Sequence, residues 1–340
     1  MSLCKYVAAA ALLTLSVSAN AEPVVLKVSH FTPASFTLHK DVIVPWCDTI
    51  EKESKGQLKC QIYPSLQLGG TPPQLVDQVK HGVADIVWTI PGYSAGKFPA
   101  LEALELPFLV RDGATSSLAA WDFAQKYAQK ELEPYKVLAV HTDAGAALHT
   151  GDKDVQTLAE FKGLRLRAAS RMLSKLITSL GGAPISMPIS QVTEAISKGV
   201  IDGAVASWEA VVPGKLDEVT KYHLEPAAGQ PMFAAIACAM LMNKDKYNSL
   251  SPEMRALIDK HSGAGLSVAF GAAWDKTVAE NRAKVVADGA KIRIINATEF
   301  AAMQKAAEPV FDEWVSEASI KGLDGKALVA AARELTARKQ

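Results

Sequence analysis

This chain reads as an α/β protein built from two similar domains. Apolar runs of strand length alternate with helix-length segments, the pattern of a mainly parallel sheet covered on both faces. Its 340 residues exceed what one hydrophobic core commonly serves, about 250 to 300. One joint is also written twice: "KHGVADIVWTIP" (residues 80–91) and "SKGVIDGAVASW" (residues 197–208) share Gly-Val-x-Asp after a helix-like stretch. In each copy the glycine supplies a left-handed helix cap, the valine opens a strand, and Asp85 or Asp202 stands at the strand's entry. Chance or convergent capping could write such a joint twice. The more specific reading gives the copies related places in two domains.

The elements follow in order. Lys5, an apolar stretch over residues 6–15 and Ala19-Asn20-Ala21 have the form of a secretory signal cleaved after Ala21. The apolar run, about a dozen residues, falls short of the ~20 of a bilayer span. Cys4 precedes that run, which argues against a lipoprotein. A first strand is expected over 26–30, a helix over 39–54 that closes at Gly56 with Pro45 kinking or shifting it, and a second strand over 58–63. Further strands are expected at 137–140 and 164–167, and a helix around 119–130. Residues 252–287 read as largely helical, broken around 263–271, and long enough to lie across two domains; 299–335 read as amphipathic helices. No low-complexity linker is present, so the domains should interleave by chain crossings. Cys47 and Cys60 could close a disulfide between the first helix and the second strand, or be two small buried side chains.

Formal charge is zero, so no basic field points to nucleic acid. The sequence has no G-x-S-x-G, H-E-x-x-H, P-loop or G-x-G-x-x-G. Its seven histidines show no metal-ligand spacing, and neither metal nor cofactor is expected. His30 and His149, at the ends of expected strands, are the histidines best placed for a cleft.

"YPSLQLGG" (63–70), "LELPFLV" (104–110), "FKGLRLRAAS" (161–170), "LGGAPISMPISQVTEAISKGVIDGAVASW" (180–208), "KLDEVTKYH" (215–223) and "MNKDKYNSLSPEMR" (242–255) occur in this order. Together they resemble the DctP-type solute-binding proteins of tripartite ATP-independent periplasmic (TRAP) transporters, over nearly the whole mature chain. The resemblance implies a two-domain periplasmic-binding-protein fold with a ligand cleft between the domains and a long domain-spanning helix. The expected division is 1–21 signal peptide, 22–144 with 233–272 as domain I, 145–232 with 273–326 as domain II, and 327–340 as a C-terminal tail or helix. It implies a periplasmic, non-enzymatic receptor that delivers an organic acid to TRAP membrane subunits, and a monomer is expected.

The family's carboxylate-binding arginine falls at Arg167. A guanidinium fork suits that task, because it holds a carboxylate through two parallel charge-assisted hydrogen bonds. Periodicity alone does not choose between Arg167 and Arg165, two residues apart on one strand; Arg171 is expected on a solvated helix face. Where sialic-acid-binding relatives place a second arginine, an asparagine and a phenylalanine, this chain has Ala147, Ala206 and Ile189. A pocket so stripped of polar groups fits a monocarboxylate with an apolar body, such as the aromatic or 2-oxo and 2-hydroxy acids benzoylformate and mandelate. Phe31, Trp88, Tyr93, Trp208 and Phe233 are candidate walls, with Trp88 and Trp208 favoured at strand C-terminal ends. Thr89, Ser207, His149 and His30 could add polar contacts. A rival reading is a periplasmic enzyme using His30, His149 or Glu209 as general base; another is a subunit presenting the ligand to a receptor kinase.

Overall fold

The computed structural model describes residues 22–338. The expected signal segment, residues 1–21, lies outside the described residues. Eleven strands are described: β1 (Val24–Ser29), β2 (Leu58–Tyr63), β3 (Ile86–Thr89), β4 (Tyr135–Thr142), β5 (Ala146–Thr150), β6 (Arg165–Ala168), β7 (Ala183–Ser186), β8 (Gly203–Ser207), β9 (Tyr222–Glu225), β10 (Ala237–Asn243) and β11 (Lys291–Ile294). They form two sheets, ordered β2-β1-β3-β10-β4 and β11-β9-β5-β8-β6-β7.

Neither sheet is purely parallel. In the first, β10 runs antiparallel to both β3 and β4; in the second, β5 runs antiparallel to both β8 and β9. The reason lies in the crossings. Strand β5 follows β4 out of the first sheet and β10 follows β9 out of the second, so each enters its new sheet from the edge where the parallel strands end. The crossings also bond to each other: Asp143 N–H donates to Ile236 O (3.1 Å) and Ala146 N–H to Ala234 O (2.8 Å). The edges of both sheets that carry strand C-termini therefore meet at one seam, where open α/β sheets bind ligands.

The helix Ala264–Ala287 runs unbroken through Gly265 and Gly271, and the expected interruption shrinks to Gly263, its left-handed cap (φ 79°). Gly271 is there for contact: a Cβ on it would lie 2.2 Å from Gly113 O, and one on Gly113 2.5 Å from Gly271 O. That approach seats the long helix on the helix Gly113–Tyr127, whose first N–H groups donate to the Asp275 carboxylate at 2.6 and 2.9 Å. Further along, Asn281 Nδ2 donates to the carbonyls of Trp208 and Glu209 (3.1 and 2.9 Å), so one helix touches both halves.

The expected disturbance at Pro45 takes the form of a change of helix type just before it. A π-helical stretch, Leu38–Ile43, runs into the α-helix Val44–Glu53 with Pro45 in the first turn, where no i−4 bond is lost. Cys47 and Cys60 are joined by a disulfide, with Cα atoms 5.7 Å apart. The C-terminal helix Gly325–Ala337 packs against Gly113–Tyr127. Among the described residues no helix is long and apolar enough to cross a membrane.

Candidate functional site

A small cavity lies on the seam, within about 470 Å³ of space that is partly open to solvent. Phe31 and Thr32 after β1, Trp88 and Ile90 around the end of β3, and Ile236 and Cys238 on the returning strand form one side. Arg167 on β6 and Ala206, Ser207 and Glu209 around the end of β8 form the other, and Trp274 of the long helix closes the back. Phe31 packs against both Trp88 (5.5 Å between centroids) and Tyr93 (5.4 Å). Trp88 is held by His141, whose Nε2 accepts the indole N–H (2.9 Å) and whose Nδ1 lies 3.0 Å from Thr142 O. This pairing assigns the Nδ1–H tautomer, and burial keeps His141 neutral by lowering its pKa to about 3.

Arg167 is 1% exposed. It donates from Nε to Met187 O (3.0 Å), from Nη1 to Val205 O (3.4 Å) and from Nη2 to Tyr93 Oη (3.3 Å). None of these acceptors is a carboxylate. Burial lowers its pKa, and the neighbouring Tyr93 and Asp143 act against that shift. A buried guanidinium bonded only to two carbonyls and a phenol retains much of its capacity for an anion. Arg165, two residues earlier, has its fork on the Asp202 carboxylate (2.8 and 3.1 Å) at the surface. The structure thereby separates the two arginines that periodicity left equivalent.

Two carboxyl groups stand in the cavity wall that the sequence reading missed or underused. Asp143, one residue past β4, accepts from the N–H groups of Gly145 and Ile236 (3.1 Å each) and so ties the two crossings together. Burial raises its pKa to about 7. Glu209 is 4% exposed, and its Oε1 is buried without a hydrogen-bond partner. Burial first, then the nearby Asp143, raises its pKa to about 8, against the N–H of Thr37 and the charge of Lys40. The signal for Asp143 was its position just past a strand end in Asp-x-Gly; for Trp274 and His141 the sequence offered none.

Of the expected site residues, Arg167, Trp88, Ser207, Phe31, Tyr93 and Ile189 line the cavity. Five do not. Trp208 turns under the second sheet, donating to Glu225 Oε2 (2.9 Å) and packing on His149 and His223. His149 is likewise taken up inside that half, bonded to His223 (2.7 Å) and Ala206 O (3.0 Å). His30 pairs with His39 (2.9 Å) and Thr32 (3.0 Å). Thr89 is buried in the first sheet, and Phe233 packs between Phe108 and Phe161. The first four were placed by proximity to a strand end, where alternate residues point away from the seam; Phe233 lies in the stretch before β10 and packs inward there. Arg171 also departs from expectation: it bridges Glu102 (2.5 Å) and Glu317, joining the helix after β6 to the first half and the helix Ala297–Ile320. Of the two alanines, Ala206 lies in the cavity wall and Ala147 opposite it in the sheet interior.

Residues 28–318 match the family described as bacterial extracellular solute-binding protein, family 7 (DctP). The chain belongs to this family. Among solved structures it is similar to a marine-metagenome TRAP solute-binding protein described as specific for aromatic acid ligands and bound to 3-hydroxybenzoate. That pair is 39% identical with a TM-score of 0.91, covering 93% of this chain and 98% of the other. It is similar to a Rhodoferax ferrireducens TRAP solute-binding protein in complex with benzoate, at 37% identity and TM-score 0.90, covering 92% and 98%. A TRAP periplasmic solute-binding protein from Bordetella bronchiseptica with bound mandelate is 26% identical, TM-score 0.84, covering 92% and 99%. The protein is thus a TRAP-type periplasmic solute receptor, a binding protein and not an enzyme. Such receptors bind small organic acids and work with TRAP membrane subunits.

Proposed function

We propose that this TRAP receptor captures a small aromatic monocarboxylate, including acids with a 2-oxo or 2-hydroxy group, and holds its carboxylate on Arg167. The observation that carries this reading is the buried guanidinium without a carboxylate partner, set in a cavity walled by Phe31, Trp88, Tyr93 and Trp274. An aromatic ring lies against such a wall by apolar burial, worth roughly 25 cal/mol per Å², and by offset ring packing. Ala206 leaves no polar group at its place in the wall, so a second carboxylate there would go unpaired at about 1 to 3 kcal/mol. The aromatic acids held by the relatives at 39% and 37% identity, and the mandelate of the third, support the same class. Domain closure by a hinge at the two crossings would enclose the ligand.

A thermal-shift screen of the mature protein against aromatic acids, 2-oxo acids, dicarboxylates and sugar acids tests the reading. A micromolar binder at millimolar concentration adds about 4 kcal/mol to the folded state. Shifts confined to aromatic or 2-oxo and 2-hydroxy monocarboxylates are expected. Shifts confined to dicarboxylates or sugar acids would overturn it.

A further inference from the structure

The cavity carries more polar chemistry than a bare aromatic acid uses. Arg167 is fixed by Met187, Val205 and Tyr93. Glu209 shares none of these partners: it stands in the short turn Trp208–Ala210 after β8, facing Thr37 and Lys40 of the segment that follows β1. Both neighbourhoods open on the one cavity, which Phe31, Trp88 and Trp274 also line.

A buried carboxyl oxygen with no partner is costly and is rarely left so without cause. The Thr37 N–H gives the carboxyl one structural partner but leaves Oε1 without one. The backbone of Glu209 holds the turn, its N–H on Ser207 Oγ (3.4 Å) and its carbonyl on Asn281 (2.9 Å), and alanine would serve both bonds equally. The side chain instead adds an unpaired Oε1 to the wall of a ligand cavity. Asp143 differs, since its Oδ1 is engaged by the two crossings.

We propose that Glu209 is the second polar pole of this cavity and receives a ring hydroxyl of the ligand, so that the receptor selects hydroxylated aromatic monocarboxylates over unsubstituted ones. The inference rests on the aromatic-acid reading above and narrows it. A 2-hydroxyl or 2-oxo group sits one bond from the carboxylate carbon and belongs to the Arg167 neighbourhood; a hydroxyl on the ring is carried further into the cavity, where Glu209 is the unpaired acid in the wall. Burial keeps Glu209 protonated at neutral pH, so it can donate to or accept from a phenol without burying a second charge beside the ligand. Selectivity of this type is large because the analogue lacking the hydroxyl leaves the carboxyl orphaned.

Titration calorimetry with benzoate, mandelate and the three hydroxybenzoate isomers, on the wild-type protein and on Glu209→Gln and Glu209→Leu, tests it. The wild type should bind at least one hydroxybenzoate roughly tenfold or more tightly than benzoate. Glu209→Leu should erase that preference by weakening the hydroxybenzoate alone, and the near-isosteric Glu209→Gln should keep part of it. Equal wild-type affinity for benzoate and all three hydroxybenzoates overturns the assignment to Glu209 while leaving the aromatic reading intact. So does a preference that survives in Glu209→Leu. If the wild type binds none of these acids, the aromatic reading itself falls and takes this inference with it.

Discussion

The two Gly-Val-x-Asp joints are the same object built twice. In the first, Asp85 N–H donates to Lys27 O (2.9 Å) and its carboxylate accepts from Lys27 N–H (2.8 Å); in the second, Asp202 and Arg165 make the same pair at 2.8 and 2.8 Å. Val83 and Ala84 donate to Gln78 O at 2.9 and 3.4 Å, and Val200 and Ile201 donate to Ala195 O at the same distances. Gly82 and Gly199 both take positive φ, 72° and 65°. The cationic side chains reach back alike, Lys27 to Val83 O and Arg165 to Gly199 O. The halves therefore correspond, Lys27 to Arg165, and two residues on Ser29 corresponds to Arg167. Here they diverge. The first half has a serine at that position and an aromatic wall on the cavity, and the second places the guanidinium there, so one scaffold used twice yields a cavity with one charged side and one apolar side.

Arg167→Ala breaks that asymmetry and should have the largest effect. Loss of a buried carboxylate anchor costs about 3 kcal/mol or more, at least a hundredfold in affinity for any acid that the thermal screen identifies. Arg165→Ala, which removes the joint's cation and not the ligand's, should leave affinity within about twofold. Calorimetry on both variants checks this, and equal losses would mean that the correspondence misassigns the anchor. The disulfide is the next difference, because only the first half is stapled. Replacing Cys47 and Cys60 by alanine opens a short loop and should destabilise that half by about 3 kcal/mol, seen as faster amide exchange in β1 and β2 than in β6 and β7. Smaller still, Asp85→Ala and Asp202→Ala each strip a strand N–H of its acceptor at about 1 to 3 kcal/mol. The melting temperature should fall somewhat further for Asp202→Ala, because Asp202 also holds the Arg165 fork.

The repeated joint was legible because it is local: a glycine, a strand start and a carboxylate within four residues define its bonds. The helix–strand alternation is local in the same way and showed the α/β class, while chain length pointed to two domains and the lack of a linker to the crossings. The antiparallel character of β5 and β10 was not legible, since it follows from the direction in which the chain enters its second sheet. Nor could a strand end reveal which of its last residues turn inward. Trp88 faces the cavity, whereas Trp208, at the matching joint, is drawn under its own sheet by the Glu225 carboxylate. Asp143 was missed, and Glu209 was placed in the cleft only as a general base of the rival reading, because a buried acid looks, in sequence, like any surface acid.

The last comparison of the halves is in their protons, and it is the smallest effect. Each half holds a histidine pair, His30 with the half-buried His39 and His149 with His223, and burial lowers His30 and His149 to about 3 and His223 to about 4. As pH falls through 6.5 the unfolded chain binds protons that these groups refuse, so both halves lose stability together on the acid side. The raised acids of the cavity wall act oppositely. Asp143 at about 7 and Glu209 at about 8 keep protons that the unfolded chain has already released above pH 4 to 5, so their presence lowers stability progressively from there to about pH 8. In the first half burial raises Glu105 to about 8 and Glu131 to about 7, so both halves share that alkaline limb. Around Glu209 only Asp143, Lys40 and the Thr37 N–H bear on its titration. Glu209→Gln, which cannot ionise, should therefore melt several degrees above the wild type at pH 8.5 and close to it at pH 5. Affinity for an acid anion should fall in the wild type above pH 7, as the wall gains negative charge, and fall less in Glu209→Gln. Melting curves of the two proteins across pH 5 to 9 decide it: parallel curves would mean that Glu209 is already ionised at pH 5, and the neutral second pole would be lost with it.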